Sequence, residues 1–298
     1  MKNKKLIVIV GPTAVGKTEL AIQLAEHFQT EVISADSRQI YKELEIGTAR
    51  PSESQLSRVR HHFIATRSLE QEYDAGKYGL DARALIEELF EKYEKLILCG
   101  GSGLYLRAAL EGFDELPEIS ADVRKRIIAE YESKGLSWLQ QQVGEADPEY
   151  YAGVDRQNPQ RLMRALEVIW HTGKPFSGLH SKKKVTLPFE VVKIGLTLDR
   201  DELYERIDRR MDLMIEQGLF EEAEKFFPKR HLNAMQTVGY KEIFAFLSGE
   251  YDRVEAVRLL KRNSRRYAKR QLTWFLRDKT IRWFHPSEWD AMVNYCQS

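Results

Sequence analysis

The sequence predicts an α/β fold, in which helices cover a parallel sheet. Residues 6–10 form a continuous run of leucine, isoleucine and valine, typical of a central strand that is buried on both faces. Apolar residues then recur with helical spacing over residues 17–28. Strand-like and helical segments go on alternating along the chain, which indicates a parallel sheet with crossover helices.

The later elements extend this pattern, with one interruption. Further short strands are predicted at residues 31–35, 62–65, 95–99 and 191–198, and an amphipathic helix at residues 81–93. Residues 117–184 instead carry only helical periods, at residues 123–131 and 159–171, with turn signals at both edges. We therefore predict a core made of residues 1–116 and 185–298, with residues 117–184 inserted as an all-helical subdomain.

Composition excludes several classes of protein. The 298 residues include 46 Lys and Arg against 45 Asp and Glu, a net charge of +1, which argues on its face against a nucleic-acid-binding surface. Two cysteines, Cys99 and Cys296, are too few for a disulfide framework or a zinc site. No apolar run approaches the roughly 20 residues that span a bilayer. We expect a cytoplasmic protein.

A phosphate-binding motif follows the first strand. It fits the pattern G-x-x-x-x-G-K-[ST] and comprises Gly11, Pro12, Thr13, Ala14, Val15, Gly16, Lys17 and Thr18. Its backbone N–H groups and the start of the next helix bind phosphate, Lys17 reaches the outer phosphate, and Thr18 is a candidate Mg²⁺ ligand. The motif predicts a P-loop NTPase-like parallel sheet core, for which ATP and GTP are the usual ligands. Asp36 and Asp199, which both follow strand-like segments, are candidates for a second Mg²⁺ ligand.

A cluster of basic residues lies near the C-terminal end. Eight basic and no acidic residues occur between Ala256 and Arg277, so the rest of the chain carries a net charge of −7. We call these eight residues the basic stripe: Arg258, Lys261, Arg262, Arg265, Arg266, Lys269, Arg270 and Arg277. On a helix one face would hold Arg258, Arg262, Arg265, Arg266 and Lys269. With Tyr267 and Trp274 interleaved, the stripe favours RNA contact over a solvated helix face. A weaker patch within residues 117–184 comprises Arg124, Lys125, Arg126, Arg156, Arg161 and Arg164.

These motifs resemble those of one family, tRNA dimethylallyltransferase, also called tRNA isopentenyltransferase or IPP transferase. The most specific matches are Asp-Ser-x-x-x-Tyr at residues 36–41 and Lys-Arg-Gln-x-Thr-Trp at residues 269–274. Matching segments spread over nearly the whole chain, at residues 11–18, 33–41, 46–49, 61–62, 100–105, 158–162, 173–174, 238–240 and 269–274. Some eukaryotic relatives carry a C-terminal zinc finger; with only two cysteines, the sequence is similar to the bacterial form.

The resemblance implies a reaction and a set of site residues. The reaction moves a dimethylallyl group from its diphosphate to N6 of adenosine 37 in tRNAs that read codons beginning with U. Asp36 would be the general base, Arg206 would contact the diphosphate, and Thr13 would line the site. Mg²⁺ is the implied cofactor, and we expect a monomer with no membrane partner. The implied contacts of the tRNA anticodon stem-loop are Asp36, Ser37, Arg38, Gln39, Ser102, Arg124, Gln160, Arg161, Arg164, Gln236, Thr237, Val238, Gly239, Tyr240, Lys241, Lys269, Arg270, Gln271, Thr273 and Trp274.

Two other functions are compatible with a phosphate loop. In a P-loop small-molecule kinase, Asp36 would deprotonate a hydroxyl and residues 117–184 would form a lid. In an ATPase-type or non-catalytic RNA-binding protein, the basic stripe alone would carry the function. The stripe disfavours the kinase, and Asp36 beside the loop disfavours pure binding. For the pair His61-His62, we favour a structural role over metal binding, because no further ligand follows at suitable spacing.

Overall fold

A computed structural model describes residues 4–113, 117, 119–179 and 185–298. Within these residues, six parallel strands form one sheet in the order β3-β2-β4-β1-β5-β6. The strands are β1 (Lys5–Val10), β2 (Val32–Ser34), β3 (His61–His62), β4 (Lys95–Cys99), β5 (Glu190–Leu196) and β6 (Arg282–Phe284). The prediction of an α/β fold with a parallel sheet is confirmed.

Helices occupy the connections between these strands and the region after β5. In the described residues they are α1 (Lys17–Phe28), α2 (Glu53–Arg58), α3 (Ala75–Phe90), α4 (Gly103–Glu111), α5 (Ala121–Ala146), α6 (Pro148–Gly153), α7 (Pro159–Thr172), α8 (Arg200–Glu216), α9 (Leu219–Phe226), α10 (Tyr240–Leu247), α11 (Arg253–Phe275) and α12 (Trp289–Gln297). None of the helices that the structure describes is long and apolar enough to cross a membrane.

Strand β1 lies at the centre of the sheet, between β4 and β5. Every residue of β1 is buried, and its side chains alternate between the two faces. Ile7 and Ile9 pack with α1 on one face, whereas Leu6 and Val8 pack with α3 and α4 on the other. Burial on both faces explains why the strand reads as a continuous apolar run.

Several predicted elements differ from the structure in their bounds, and one strand was not predicted. The third strand is only His61–His62, because the chain leaves the sheet at Phe63, whose φ is 60°. Helix α3 begins at Ala75, earlier than residue 81, because the Asp74 side chain accepts a hydrogen bond from the Lys77 N–H and caps it. Strand β6 was not predicted, since it has three residues and begins with the exposed Arg282.

The chain divides into two compact units, Met1–Glu111 with Thr186–Ser298, and Gly112–Val185. The second unit contains α5, α6 and α7 and has its own apolar core, which includes Leu139, Leu162 and Leu166. Helix α5 is kinked at Gly135, where φ is +74° and ψ is −171°. A role for this unit in tRNA binding stays a prediction.

Within the first unit, helices α8 to α11 build a separate apolar cluster beside the sheet. Ile40 and Leu44, from the segment after β2, are buried in this cluster together with Met235 and Tyr240. The cluster therefore holds the chain that follows Asp36 against the C-terminal helices.

Candidate active site

The candidate active site lies at the carboxyl edge of the sheet, where parallel strands of α/β proteins place their ligands. The phosphate loop follows β1, Asp36 lies two residues after β2, and Gly100 and Gly101 follow β4. Helix α8 contributes Arg210 from outside the sheet. All of these elements line one pocket.

The phosphate loop has the backbone conformation that its glycines allow. Gly11 has a φ of +149°, and a Cβ there would lie 2.7 Å from the carbonyl oxygen of Leu196 in the neighbouring strand. Gly16 has a φ of +104° and immediately precedes α1, so the N-terminus of that helix faces the loop. Thr13, Lys17 and Thr18 line the pocket.

Two half-buried cations stand at this pocket. The Lys17 ammonium donates a 2.7 Å hydrogen bond to the Pro12 carbonyl, and burial lowers the pKa of Lys17 to about 8. Arg210 Nη1 lies 3.3 Å from Thr13 Oγ1, and burial lowers the pKa of Arg210, an effect that Asp36 partly offsets. No carboxylate among the described residues lies within 4 Å of either cation. Two desolvated cations without a bound counter-charge form a site for an anion.

The structure contradicts the role predicted for Arg206. Its side chain is exposed and forms a 2.9 Å ion pair with Glu202 on its own helix, and it does not line the pocket. Arg210, one turn further along α8, takes the position beside Thr13. At a spacing of four the two arginines share one face of α8, one turn apart, and only the position of the helix along its axis relative to the loop decides which one reaches Thr13.

Asp36 is held in a tight turn after β2. Its Oδ1 accepts hydrogen bonds from the N–H groups of Arg38, at 2.8 Å, and Gln39, at 3.2 Å. Within the part of the chain that the structure describes, its Oδ2 has no hydrogen-bond partner. The turn is also tied to the loop after β4, because Ser102 Oγ accepts a 2.9 Å hydrogen bond from the Ser37 N–H. Asp36 thus presents one free carboxylate oxygen from a fixed backbone.

Thr18 and Asp36 fit a magnesium site that a diphosphate would complete. Both line the pocket, and both offer oxygen, the ligand that Mg²⁺ prefers. Among the described residues there is no group of three His, Cys, Asp or Glu that could hold a metal alone. Mg²⁺ is commonly held by one or two protein oxygens together with substrate phosphates and water. Asp199, the other candidate, is exposed and does not line the pocket.

Helix α11 presents two different surfaces, and this changes the role predicted for Gln271. The Gln271 side chain is buried: its Oε1 accepts from the Thr13 N–H at 2.8 Å, and its Nε2 donates to the Gly101 carbonyl at 2.9 Å. The Trp274 indole packs so closely on Gly103 that a Cβ there would overlap it. Gln271 therefore supports the pocket and is not free to contact RNA. Trp274 packs against the start of α4 but is half-buried, so its contact with RNA stays a prediction.

Tyr240 is likewise part of the protein interior, which contradicts direct tRNA contact by its side chain. It is fully buried, and its hydroxyl donates a 2.6 Å hydrogen bond to Glu222. Gly239, with a φ of +106°, donates its N–H to the buried Glu242 and is also inaccessible. Gln236 and Lys241 are exposed and remain candidates, with Thr237 and Val238 half-buried between them.

The basic stripe is divided between two faces of α11. Arg258 pairs with Glu255, Lys261 with Asp212 at 2.6 Å, and Arg265 with Asp208 at 2.6 Å. These pairs neutralise two of the five residues that helical spacing had assigned to an RNA-binding face, Arg258 and Arg265. Four other residues are exposed, three on one face of α11 and Arg277 just beyond its end, and none forms an ion pair within the described chain. We call them the exposed basic face: Arg266, Lys269, Arg270 and Arg277.

The candidate RNA contacts of the second unit are arranged around one carboxylate. Arg124 Nε and Arg164 Nη1 each lie 3.2 Å from an oxygen of Glu167, which is itself 7 % exposed. Gln160 and Arg161, in the first turn of α7, are exposed. The two arginines are thus held side by side, while Gln160 and Arg161 remain accessible.

The two histidines after α2 have structural partners. His61 Nδ1 lies 2.8 Å from the Val59 carbonyl oxygen, and His62 Nε2 lies 2.5 Å from a carboxylate oxygen of Glu31. His61 also lines the pocket, and burial lowers its pKa. These contacts agree with the structural role that we favoured over metal binding.

Sequence reasoning missed Arg210 and the pocket wall formed by Thr48 and Ala49. The only signal for Arg210 was its spacing of four residues from Arg206. The wall lies within residues 46–49, which match the family, but that match did not assign Thr48 and Ala49 to the pocket.

A parallel sheet whose first strand leads through a phosphate loop into a helix defines an α/β protein of the P-loop NTPase-like class. Within that class, a family model described as IPP transferase matches residues 39–278. The chain therefore belongs to the IPP transferase family, as the sequence motifs predict.

Similar proteins cover the whole chain. A tRNA dimethylallyltransferase of Cytophaga hutchinsonii is 49% identical over 296 residues, covering 99% of this chain and 97% of its own length. A tRNA dimethylallyltransferase 1 of Bacteroides fragilis is 46% identical over 298 residues, covering 100% and 99%. Among solved structures, the tRNA isopentenylpyrophosphate transferase of Bacillus halodurans has a TM-score of 0.71 at 36% identity, covering 99% of this chain and 97% of its own. A eukaryotic dimethylallyltransferase acting on tRNA has a TM-score of 0.78 at 26% identity, covering 98% of this chain and 77% of its own.

Proposed function

We propose that this protein transfers a dimethylallyl group from dimethylallyl diphosphate to N6 of adenosine 37 in tRNAs that read codons beginning with U. One observation carries the proposal: the half-buried cations Lys17 and Arg210 stand at the phosphate loop, and the Asp36 carboxylate lines the same pocket. Such a pocket suits a reaction in which an anion leaves and a proton is removed. The full-length likeness to tRNA dimethylallyltransferases supports the choice of substrates.

The donor diphosphate binds at the loop. Loop N–H groups, Lys17 and Arg210 contact its oxygens and stabilise the negative charge that develops when the C1–O bond breaks. Thr18 would hold Mg²⁺ together with diphosphate oxygens and water, and the ion would neutralise further charge on the diphosphate. This arrangement leaves Asp36 Oδ2 free for the acceptor. Burial of the two protein cations makes each contact stronger than it would be in water.

The acceptor is an exocyclic adenine amine, a weak nucleophile because its lone pair is delocalised into the ring. As the new C1–N6 bond forms, the nitrogen becomes acidic and its proton must leave. Asp36 is the candidate base, since Oδ2 is free to accept a proton while Oδ1 is held by two backbone N–H groups. The products are N6-prenyl-adenosine, diphosphate and a protonated Asp36, which returns its proton to water.

The acceptor base has to leave the anticodon loop stack to reach this pocket. Flipping costs a few kcal/mol, and less in a loop than in a duplex. The exposed basic face can hold the RNA backbone, with Arg124, Gln160, Arg161 and Arg164 as further proposed contacts. A tRNA substrate also agrees with the cytoplasmic location that the sequence predicts.

Calorimetric titration tests the proposal directly. The full chain with Mg²⁺ is titrated with dimethylallyl diphosphate or with ATP, and then supplied with an unmodified anticodon stem-loop. We expect the prenyl diphosphate to bind and a five-carbon adduct to appear on adenosine 37 by mass spectrometry. Tight binding of ATP with no response to the prenyl diphosphate would contradict the proposal and favour a kinase.

A further inference from the structure

The side chain of Glu222, in α9, is surrounded by hydrogen-bond donors. Its Oε2 accepts from the N–H groups of Glu45 and Ile46, both at 3.0 Å, and its Oε1 accepts from the Gly47 N–H at 2.8 Å. The Tyr240 hydroxyl donates a fourth hydrogen bond, at 2.6 Å, to Oε1. Three successive backbone N–H groups around one carboxylate form an anion-binding nest that the protein fills itself.

Tight packing holds the residues around this carboxylate in place. A Cβ on Gly47 would overlap the Tyr240 ring, so only glycine brings its N–H to Glu222 beside the tyrosine. Tyr240 is itself fully buried in the cluster of the C-terminal helices. Residues 45–47 are thus fastened to α9 and α10, 175 or more positions away in sequence.

The fastened segment continues directly into the wall of the pocket. Thr48 and Ala49 line the pocket. Their carbonyl oxygens accept hydrogen bonds of 3.2 and 2.9 Å from Gln39 Nε2. The N–H of Gln39 in turn donates to Asp36 Oδ1. Hydrogen bonds, joined by the backbone of residues 47–49, therefore connect Glu222 to the Asp36 carboxylate.

We propose that Glu222 is a positioning residue for the donor site, because it holds residues 45–47 so that Thr48 and Ala49 form a fixed wall beside Asp36. The identity of the ligand that binds against this wall rests on the proposed function. The role of Glu222 in holding residues 45–47 does not depend on it, because that role is a property of the free protein.

Glu222→Gln tests the proposal with little change in volume. A glutamine has one acceptor oxygen, so its amide nitrogen faces at least one backbone N–H and one or two of the three backbone hydrogen bonds are lost. The matched control is Glu224→Gln, the same change on an exposed position of the same helix. Tyr240→Phe removes one hydrogen bond only and gives an intermediate variant.

Hydrogen exchange of the free protein measures the loop. We expect amide exchange in residues 42–51 to accelerate in Glu222→Gln, to a smaller extent in Tyr240→Phe, and not in Glu224→Gln. Unchanged exchange in Glu222→Gln would overturn the proposal whether or not the protein transfers prenyl groups.

Steady-state kinetics measure the effect on the site. We expect the KM for dimethylallyl diphosphate to rise about tenfold in Glu222→Gln, while the Kd for the anticodon stem-loop stays within about twofold. A residue that only stabilised the fold would lower the active fraction and leave that KM unchanged, so an unchanged donor KM overturns the positioning role. A wild-type protein without transfer activity contradicts the proposed function instead, and the exchange experiment still decides whether Glu222 fixes the loop.

Discussion

The amide oxygen of Gln271 accepts a 2.8 Å hydrogen bond from the backbone N–H of Thr13, although the two residues lie 258 positions apart. The other end of the same amide donates to the Gly101 carbonyl. One side chain of α11 therefore joins the loop after β1 to the loop after β4, the two loops that flank Lys17. The helix that carries the exposed basic face also supports the diphosphate site.

This bridge makes Gln271→Glu informative. The carboxylate still accepts from Thr13, but it loses the donation to Gly101 and adds a negative charge beside the diphosphate site. We expect binding of dimethylallyl diphosphate to weaken by about 1–3 kcal/mol, measured by calorimetry. Gln23→Glu, the same change on an exposed position of α1, should leave the affinity unaltered. Equal affinities in both variants would show that the bridge does not support the site.

Donor affinity should depend on pH through Lys17. Burial lowers the pKa of this ammonium to about 8, so in the free protein it is charged below that value and neutral above it. The Kd for the prenyl diphosphate should therefore increase as pH rises from about 7 to about 9.5. In Lys17→Met the affinity should be low and nearly constant over this range. A constant wild-type affinity would show that the charge on Lys17 does not contribute.

Arg210 and Arg206 form a matched pair on one helix. Arg210 faces Thr13 in the pocket, whereas Arg206 is exposed and paired with Glu202. We expect Arg210→Ala to raise the KM for the donor by about tenfold or more, since a charge-assisted hydrogen bond contributes about 1.5–3 kcal/mol. Arg206→Ala should change it little, because exposed i,i+4 pairs contribute only about 0.5 kcal/mol. The reverse ranking would restore the role that the sequence assigned to Arg206.

Asp36→Asn separates catalysis from binding. The asparagine keeps an oxygen for the N–H groups of Arg38 and Gln39, but it cannot take up the N6 proton. We expect kcat to fall by about 10² to 10⁴, while tRNA affinity stays within about tenfold. Asp199→Asn, at the exposed end of another strand, is the control and should retain activity. A much larger loss of tRNA affinity would make Asp36 a binding residue.

The exposed basic face should control the salt dependence of tRNA binding. Neutralising Arg266 and Lys269 to glutamine removes two unpaired charges, so the slope of log K against log salt should become shallower by about 1–2. Neutralising Lys261 and Arg265, which are paired with Asp212 and Asp208, should leave the slope nearly unchanged. Equal slopes in the two double variants would contradict the division of the stripe.

Local chemistry made part of this site predictable. The phosphate loop is a contiguous motif, and Asp36 follows a strand of a parallel sheet, so both could be placed at the carboxyl edge without any tertiary information. Arg210 could not be distinguished from Arg206, because both lie on the same helix face and the sequence does not show which turn of that face comes next to the phosphate loop. The pairing of Arg265 with Asp208 joins two helices, and no pattern within either helix reveals it.

Burial explains the other differences between the predicted and the observed roles of site residues. Tyr240 and Gln271 belong to segments that match an RNA-modifying family, and this resemblance implied direct contact with RNA. In the structure both are enclosed, and their polar groups bond to Glu222, Thr13 and Gly101. A buried polar side chain needs such partners, and only the packing of distant helices supplies them.

The order of the strands also constrains how the protein is made. Central strand β1 pairs with β5, so Lys5 can pair with Glu190 only after that residue has been synthesised. Gln271, which joins the loops after β1 and β4, is synthesised later still. Until β5 has been synthesised, one edge of β1, which is apolar from Leu6 to Val10, is unpaired, a condition that favours aggregation of partly synthesised chains. Pairing across so many residues also implies slow folding. A competent donor pocket can therefore form only after Gln271 has been synthesised.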